Sequence, residues 1–164
     1  MTSIYVSGPV IRRSLPLLNL KRLALDGMAG IAAPDKAYRW LAQTARSLDF
    51  ELLLPVSDPY LEIALPESFA REIRQRIERA DGIVSIFSRT DSSGPVESTM
   101  ASMMGRRQII FAANPDIVPR IMRGMPGVLG TFHITDESAF RHIMEEFLRS
   151  LYSQGESALS LSSA

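Results

Sequence analysis

The chain has no cysteine and only two histidines. Without thiols it cannot form disulfide bonds, thiolate metal sites or cysteine nucleophiles. His133 and His142 do not have the spacing of a metal-binding motif such as H-E-x-x-H. We therefore expect no metal site, and the absence of cysteine is compatible with a cytoplasmic location.

The chain also lacks an excess of charge of either sign. Its 18 Lys and Arg residues balance 18 Asp and Glu residues. Proteins that bind nucleic acids normally carry a basic excess, so we expect no nucleic-acid partner. Apolar runs are short, and none approaches the roughly 18 residues of a membrane-spanning helix. The first residues show no basic segment before an apolar core, so we expect neither a signal peptide nor a membrane partner.

What the chain does contain is a regular alternation of strand and helix patterns over 164 residues, a length that suits one compact domain. The predicted strands are short and apolar, and they lie at 3–8, 50–55, 82–87, 107–113 and 128–134. The predicted helices have apolar residues at helical spacing, and they lie at 35–50, 67–80, 95–105 and 136–152. This order predicts an α/β fold with a five-stranded, mostly parallel sheet and helices on both faces, flavodoxin-like in the broad sense.

Ligands of such sheets bind outside the carboxyl ends of the strands, where the loops converge. Three predicted loops leave those ends, at 7–34, 55–66 and 88–95. We assign residues 1–152 to the domain and the serine-rich residues 153–164 to a flexible tail.

Glu97, in the stretch DSSGPVESTMASMMG (91–105), has two interpretations. If Gly94 is the N-cap, Pro95 takes the first helical position and Glu97 the third, where a carboxylate caps the helix. The same position at the mouth of a parallel sheet keeps a carboxylate ionised, as a nucleophile at a sugar C1′ requires. Asp91 is either a turn residue or a second carboxylate that faces the same pocket.

Four segments carry a resemblance to a known family: a strand with a tyrosine and a small-residue turn, a helix end before a buried strand, a glycine-containing run before a glutamate, and a further apolar strand. In this sequence they are IYVSGP (4–9), ADGIVSIF (80–87), DSSGPVESTMA (91–101) and RRQIIFAA (106–113). In this order they resemble the nucleoside 2-deoxyribosyltransferase superfamily, which includes the nucleoside 5′-monophosphate N-glycosidases. The resemblance implies that fold and an enzyme acting on a nucleoside or nucleotide.

The resemblance implies three catalytic residues. Glu97 matches the nucleophile that takes the deoxyribosyl group, and Tyr5 matches the tyrosine whose hydroxyl positions that carboxylate. Asp91 matches the position that contacts the 5′ group of the sugar. A carboxylate there suits a neutral 5′-hydroxyl and repels a phosphate, so Asp91 favours a nucleoside over its monophosphate. Without the resemblance, Tyr5 would be predicted as a core aromatic residue with its hydroxyl at a strand end.

Substrate contacts are expected from the two turns that match the family, at Ser7, Gly8, Pro9, Ser93 and Gly94. Arg12 follows the first turn and is either a forked phosphate ligand or a solvated loop residue. Tyr60 is a candidate for stacking against a base. Three methionines in the Glu97 helix are expected to fill the core or a subunit interface: Met100, Met103 and Met104.

One departure from the family pattern concerns the leaving base. The family has an aspartate eight positions before the residue that corresponds to Asp81, and this chain has Ile73 there, which cannot transfer a proton. Three hypotheses follow. The chain transfers or cleaves the N-glycosidic bond of a (2′-deoxy)ribonucleoside through Glu97, without metal or organic cofactor. Alternatively, it is a nucleoside 5′-monophosphate N-glycosidase, a hydrolase, or it binds a nucleoside or nucleotide derivative without catalysis. By resemblance we also expect a homo-oligomer.

Overall fold

The computed structural model describes residues 1–8, 33–54, 66–87 and 93–160. Its centre is a sheet whose five strands are β1 (Ser3–Ser7), β2 (Glu51–Leu53), β3 (Gly82–Phe87), β4 (Gln108–Ala112) and β5 (Val128–His133). All neighbouring strands are parallel, in the order β2-β1-β3-β4-β5. This is the strand order of flavodoxin-like doubly wound folds. The predicted fold class is therefore confirmed.

Helices cover both faces of the sheet. The described helices are α1 (Ala33–Leu48), α2 (Pro66–Arg79), α3 (Ser93–Met103), α4 (Arg120–Arg123) and α5 (Glu137–Ser160). Helices α1 and α5 pack on one face, whereas α2 and α3 pack on the other. None of the helices in the described ranges is both long and apolar enough to cross a membrane.

The alternation of side chains along β1 divides the core in two. Ile4 and Val6 pack with α1 and α5, whereas Tyr5 packs with α2 and α3. Because successive residues of a strand point to opposite faces, Ser7 lies on the same face as Tyr5. The α2–α3 face of β1 therefore carries two hydroxyl groups towards its carboxyl end.

Strands β1 and β3 are neighbours in the sheet, although β2 lies between them in the chain. The connection from β1 leads to β2 on one side, and the connection from β3 leads to β4 on the other. In doubly wound sheets the crevice at this switch point is where ligands bind. At the opposite, amino edge, Asp81 holds the same two strands together: its Oδ2 accepts hydrogen bonds from the Ser3 N–H at 2.8 Å and the Ser3 hydroxyl at 3.1 Å.

Element boundaries differ from prediction at both ends of the chain. Helix α1 begins at Ala33, two residues before the expected start at 35. It ends where Asp49 adopts a left-handed backbone with φ 54°. Helix α5 continues to Ser160, beyond the expected end at 152. Gln, Glu, Ala and Leu in this segment extend an existing helix easily, since propagation costs far less than nucleation. The division into domain and tail stays a prediction.

Candidate functional site

A tyrosine and a glutamate meet between β1 and α3. The Tyr5 hydroxyl donates a hydrogen bond to Glu97 Oε2 at 3.1 Å. Both side chains are buried, with Tyr5 0% and Glu97 3% exposed. The structure thus brings together the two residues that the sequence resemblance pairs.

The environment of Tyr5 keeps its phenol protonated. Burial is the largest cause that raises the pKa of Tyr5, and the charge and hydrogen bond of Glu97 raise it further. The Arg76 guanidinium has the opposite effect and lowers this pKa. Because the net shift is strongly upward, the phenol remains a hydrogen-bond donor at any pH near neutrality and holds one carboxylate oxygen in place.

The observed start of α3 corrects the expected cap position of Glu97. The helix begins at Ser93, so Glu97 is its fifth residue and the first turn contains no acidic side chain. Pro95 fits inside this first turn because the N–H groups there have no intrahelical acceptor. A carboxylate in the fifth position does not form the capping box of a third-position residue. Its burial requires other donors, and the Tyr5 hydroxyl is one of them.

The residues of α3 that face the sheet are mostly small or polar. Its buried residues follow helical spacing and are Gly94, Glu97, Ser98 and Ala101. The outward face is apolar, with Val96 61% and Met103 84% exposed. This arrangement reverses the usual pattern of a surface helix, which buries its apolar residues. The polar residues under α3 therefore need specific partners from the sheet.

The sheet supplies such partners at the carboxyl edge and again in its interior. At the edge, the Ser7 hydroxyl donates to the Gly94 carbonyl at 3.3 Å. In the interior, Gln108 of β4 accepts from the Ser98 hydroxyl at 2.6 Å and donates to the Ser98 carbonyl at 3.1 Å and to the Ser102 hydroxyl at 2.7 Å. Gln108 and Ser98 are both completely buried.

Gln108 is a residue of this site that the sequence motifs do not indicate. The pattern that would have found it is a glutamine opening an otherwise apolar strand, preceded by a helix with two serines four residues apart. An amide has one acceptor and two donors, and one turn of helix presents matching groups.

The turn after β1 has room only for glycine. A Cβ on Gly8 would lie 2.7 Å from the Tyr38 hydroxyl and 2.8 Å from the Ile86 carbonyl oxygen. Tyr38 therefore brings its hydroxyl from α1 to the carboxyl ends of β1 and β3. It also contributes to the raised pKa of Tyr5, so it is a polar neighbour of the candidate site that the sequence analysis missed.

A buried hydroxyl on β3 lies in the same region. Ser85 pairs in register with Ser7 of β1 and is 3% exposed. Among the described residues its Oγ has no hydrogen-bond partner, although a buried hydroxyl normally has one.

The position where the family pattern predicts an aspartate belongs to the hydrophobic core. Ile73 is 6% exposed and packs in the cluster that contains Tyr5. One turn later, Arg76 donates to the Leu54 carbonyl at the end of β2 at 2.6 Å and to Glu72 at 2.7 Å. Arginine cannot act as a general acid near neutral pH. Glu72, which Arg76 contacts, is a carboxylic acid on α2, and Glu67 lies in the first turn of the same helix.

Four predicted site residues lie outside the described residues: Pro9, Arg12, Tyr60 and Asp91. Ser93 is the first residue of α3, at the carboxyl end of the sheet. Within the described ranges, no group of three or more His, Cys, Asp or Glu side chains could hold a metal ion.

The outward side of α3 borders a surface groove of about 580 Å³. We call this surface the methionine face, and its residues are Arg74, Val96, Thr99, Met100, Met103 and Met104. Met100 and Met104 are partly buried against the core, as predicted for core methionines, whereas Met103 is exposed. Within the methionine face, Val96, Thr99 and Met103 are exposed and point away from the sheet, whereas Met100 and Met104 pack against the cluster that contains Tyr5.

These features define a class: a flavodoxin-like parallel α/β domain with a buried phenol–carboxylate pair beside its switch point. No protein-family model matches the chain, and no curated protein matches its sequence. Solved structures with the same fold include two enzymes. The 2-deoxyribosyltransferase of Bacillus psychrosaccharolyticus has a TM-score of 0.56 and 15% identity, over 85% of this chain and 90% of that chain.

The CMP N-glycosidase of Clostridium botulinum has a TM-score of 0.55 and 12% identity, over 88% of this chain and 99% of that chain. At such identities the likeness establishes the fold. The fold implied by the sequence resemblance, that of the nucleoside 2-deoxyribosyltransferase-like proteins, is confirmed.

Proposed function

We propose that the protein transfers or cleaves the N-glycosidic bond of a nucleoside, with Glu97 as the nucleophile. The single observation that carries this proposal is the buried hydrogen bond from Tyr5 to Glu97 at the switch point of the sheet. Burying a carboxylate is costly, and structural cores rarely contain one without function. The fold shared with a deoxyribosyltransferase and an N-glycosidase supports the same class of reaction.

In the first step, a Glu97 oxygen forms a bond to C1′ of the sugar, and the C1′–N bond breaks. Its electron pair stays on the base, which takes up a proton. In the second step, a nitrogen of another base, or a water oxygen, bonds to C1′ and gives its proton to the deprotonated acid that protonated the leaving base. The Glu97–C1′ ester bond breaks, which restores the carboxylate. Tyr5 holds its proton throughout and orients the attacking carboxylate. The steps need no metal ion or organic cofactor.

The proton for the leaving base requires an acid other than residue 73, which is isoleucine. We propose Glu72 for this role, because the Arg76 side chain that it contacts also bonds to the carboxyl end of β2. Glu72→Gln should lower turnover most for bases that leave poorly without protonation.

We propose a nucleoside rather than its 5′-monophosphate as the substrate. The sequence resemblance assigns Asp91 to the 5′ group of the sugar, where its carboxylate would repel a phosphate. Two negative charges 4 Å apart repel each other by about 4 kcal/mol at an effective dielectric constant of about 20. A nucleoside monophosphate would therefore bind poorly beside Asp91, even though one structural neighbour acts on CMP.

A second candidate function is nucleoside binding without catalysis. The observation in its favour is the burial of Ile73 in the core, where the family pattern has an acid. This candidate predicts tight binding of a nucleoside without product formation.

We further propose that the chain forms a homo-oligomer through the methionine face. Exposed Val96 and Met103 form an apolar centre, and the exposed Arg74–Glu78 pair on α2 supplies both charge signs at its rim. Such a surface is complementary to itself across a twofold axis. A chain with zero formal net charge also lacks general repulsion between copies.

We propose the cytoplasm as its compartment, since a chain without cysteine needs no oxidising environment to fold.

The central test is incubation with deoxyinosine and free adenine, followed by chromatography. We expect deoxyadenosine and hypoxanthine from the wild type and neither from Glu97→Gln, which keeps the shape of the side chain. Glu78→Gln, an exposed position on α2, is the matched control and should retain activity.

Omitting adenine separates hydrolysis from transfer, because hypoxanthine then appears only if water accepts the sugar. Parallel reactions with deoxyinosine 5′-monophosphate test the role of Asp91. Equal turnover by the wild type and Glu97→Gln would contradict the proposal, and binding without any turnover would favour the second candidate.

A further inference from the structure

Gln108 and Tyr5 lie in one row across the sheet. Tyr5 pairs in register with Ile83, and Ile83 pairs with Gln108. Neighbouring strands are about 4.8 Å apart, so Tyr5 and Gln108 emerge roughly 10 Å apart, with Ile83 between them. Helix α3 crosses this row and contacts it with two consecutive residues, Glu97 and Ser98.

These consecutive residues bond to opposite ends of the row. Glu97 accepts a hydrogen bond from Tyr5, whereas Ser98 donates to Gln108 and accepts from it. Consecutive helical residues point about 100° apart, so the two contacts lie on the two flanks of the sheet-facing surface. Together they oppose rotation of α3 in either direction.

We infer that Gln108 is a positioning residue for Glu97 and acts through the rotation of α3. The catalytic part of this inference rests on the proposed role of Glu97 as nucleophile. The Gln108 side chain is completely buried beneath the helix, and its hydrogen bonds within the described residues all go to α3, so its influence on the reaction is indirect.

Two further polar contacts of α3 lie at its ends. The Ser7–Gly94 bond lies at its start and is long, at 3.3 Å. At its end, Gly105 adopts φ 68°, and the N–H of Arg106 bonds to the Ala101 carbonyl at 2.9 Å. Between these ends, Gln108 is the residue of the sheet that holds the Ser98 side of α3 among the described residues. Ser98 is adjacent to the proposed nucleophile.

A small rotation has a large effect at the carboxylate. A rotation of about 15° moves a group about 6 Å from the helix axis by about 1.6 Å. Misplacing a reacting group by about 1 Å costs on the order of a hundredfold in rate. Because Gln108 does not touch the substrate, the loss should appear in kcat and leave KM within about twofold.

The test compares Gln108→Met with the wild type. Methionine has a similar length and removes all three hydrogen bonds to α3. The first measurement is the ¹³Cζ resonance of Tyr5 in tyrosine-labelled protein, which has four tyrosines and is assigned with Tyr5→Phe. We expect Gln108→Met to shift this resonance towards its value in Glu97→Gln, and to lower kcat about 10- to 100-fold.

Ile109→Ala is the matched control. Ile109 is the next residue of β4 but packs on the other face, with α1 and α5. It should leave the Tyr5 resonance and kcat unchanged. If Gln108→Met does not fold, the triple variant Ser98→Ala, Ser102→Ala and Gln108→Met replaces it, because it also removes the two serine hydroxyls that would lose their partner, while the Ser98 carbonyl remains within the helix.

An unchanged Tyr5 resonance in a folded Gln108→Met or triple variant would overturn the inference. So would an equal loss of kcat in Ile109→Ala, since that result would reflect general destabilisation. If the wild type has no turnover, the proposed function fails, and the Tyr5 resonance alone then decides whether Gln108 positions Glu97.

Discussion

Replacing Tyr5 by phenylalanine removes the hydroxyl that binds Glu97 and keeps the ring in the core. Hydrogen bonds to charged groups contribute about 1.5–3 kcal/mol to stability. Because Glu97 is 3% exposed, water cannot readily take the place of the lost donor. We therefore expect Tyr5→Phe to lower the free energy of unfolding by about 2 kcal/mol at pH 7.

The difference between the two proteins should depend on pH with a defined sign. The pKa of Tyr5 is raised in the folded state, and its ordinary value in an unfolded chain is about 10. Below pH 10 the tyrosine is protonated in both states, so its stabilising contribution is complete. Above pH 10 the unfolded chain loses the proton while the folded chain keeps it, so the wild type loses about 1.4 kcal/mol per pH unit. The stability curves of wild type and Tyr5→Phe should therefore cross near pH 11.5, at about the point where 2 kcal/mol has been lost.

Urea denaturation of both proteins between pH 7 and 12 measures this difference. All other titrating groups are common to the two chains and cancel. A difference that stays constant across this range would refute the proposed environment of Tyr5. Phenolate absorbance of Tyr5 appearing in the folded protein near pH 10 would refute it as well.

Four further predictions follow, three from the surroundings of the site and one from the methionine face. Gly8→Ala should lower the free energy of unfolding by about 2 kcal/mol, because the new Cβ would lie 2.8 Å from a backbone oxygen, and urea denaturation measures it. Ser85→Ala should raise the same free energy by about 1 kcal/mol, because it removes a buried hydroxyl that has no partner among the described residues; a large increase in KM would instead show that substrate uses this hydroxyl. Arg76→Gln should remove the charge that lowers the pKa of Tyr5 and thereby shift the ¹³Cζ resonance of Tyr5, whereas Arg79→Gln on the exposed side of α2 should leave that resonance unchanged. Met103→Glu should shift any oligomer towards the monomer in analytical ultracentrifugation, because it places a charge in the apolar centre of the methionine face.

The strands could be predicted well because their patterns are local. The run GIVSIF was predicted as a buried strand at 82–87, and the structure has β3 at Gly82–Phe87. Helix ends were predicted less well, as α3 and α5 show. A helix end depends on backbone geometry and tertiary packing more than on any one residue type.

The candidate site also contains residues that could be predicted from the sequence and residues that could not. Tyr5 and Glu97 could be paired in advance because the resemblance connected them, even though 92 positions separate them in the chain. Gln108 could not be recognised, because a single glutamine in an apolar strand does not indicate a role until its hydrogen-bond partners are known. Its role emerges only when the register places it in one row with Tyr5, across Ile83.

The amino-acid sequence by itself determined the alternation of strands and helices, the parallel sheet and the residue types available for chemistry, because hydrophobic periodicity and composition are properties of the chain. The tertiary structure alone decided which polar groups face one another. It showed that Glu97 is a buried partner of Tyr5 rather than a helix cap, that Ile73 is core, and that Gln108 braces the same helix. The physical reason is that hydrogen bonds act over about 3 Å. Only the packing of α3 on three neighbouring strands brings these distant residues within that range.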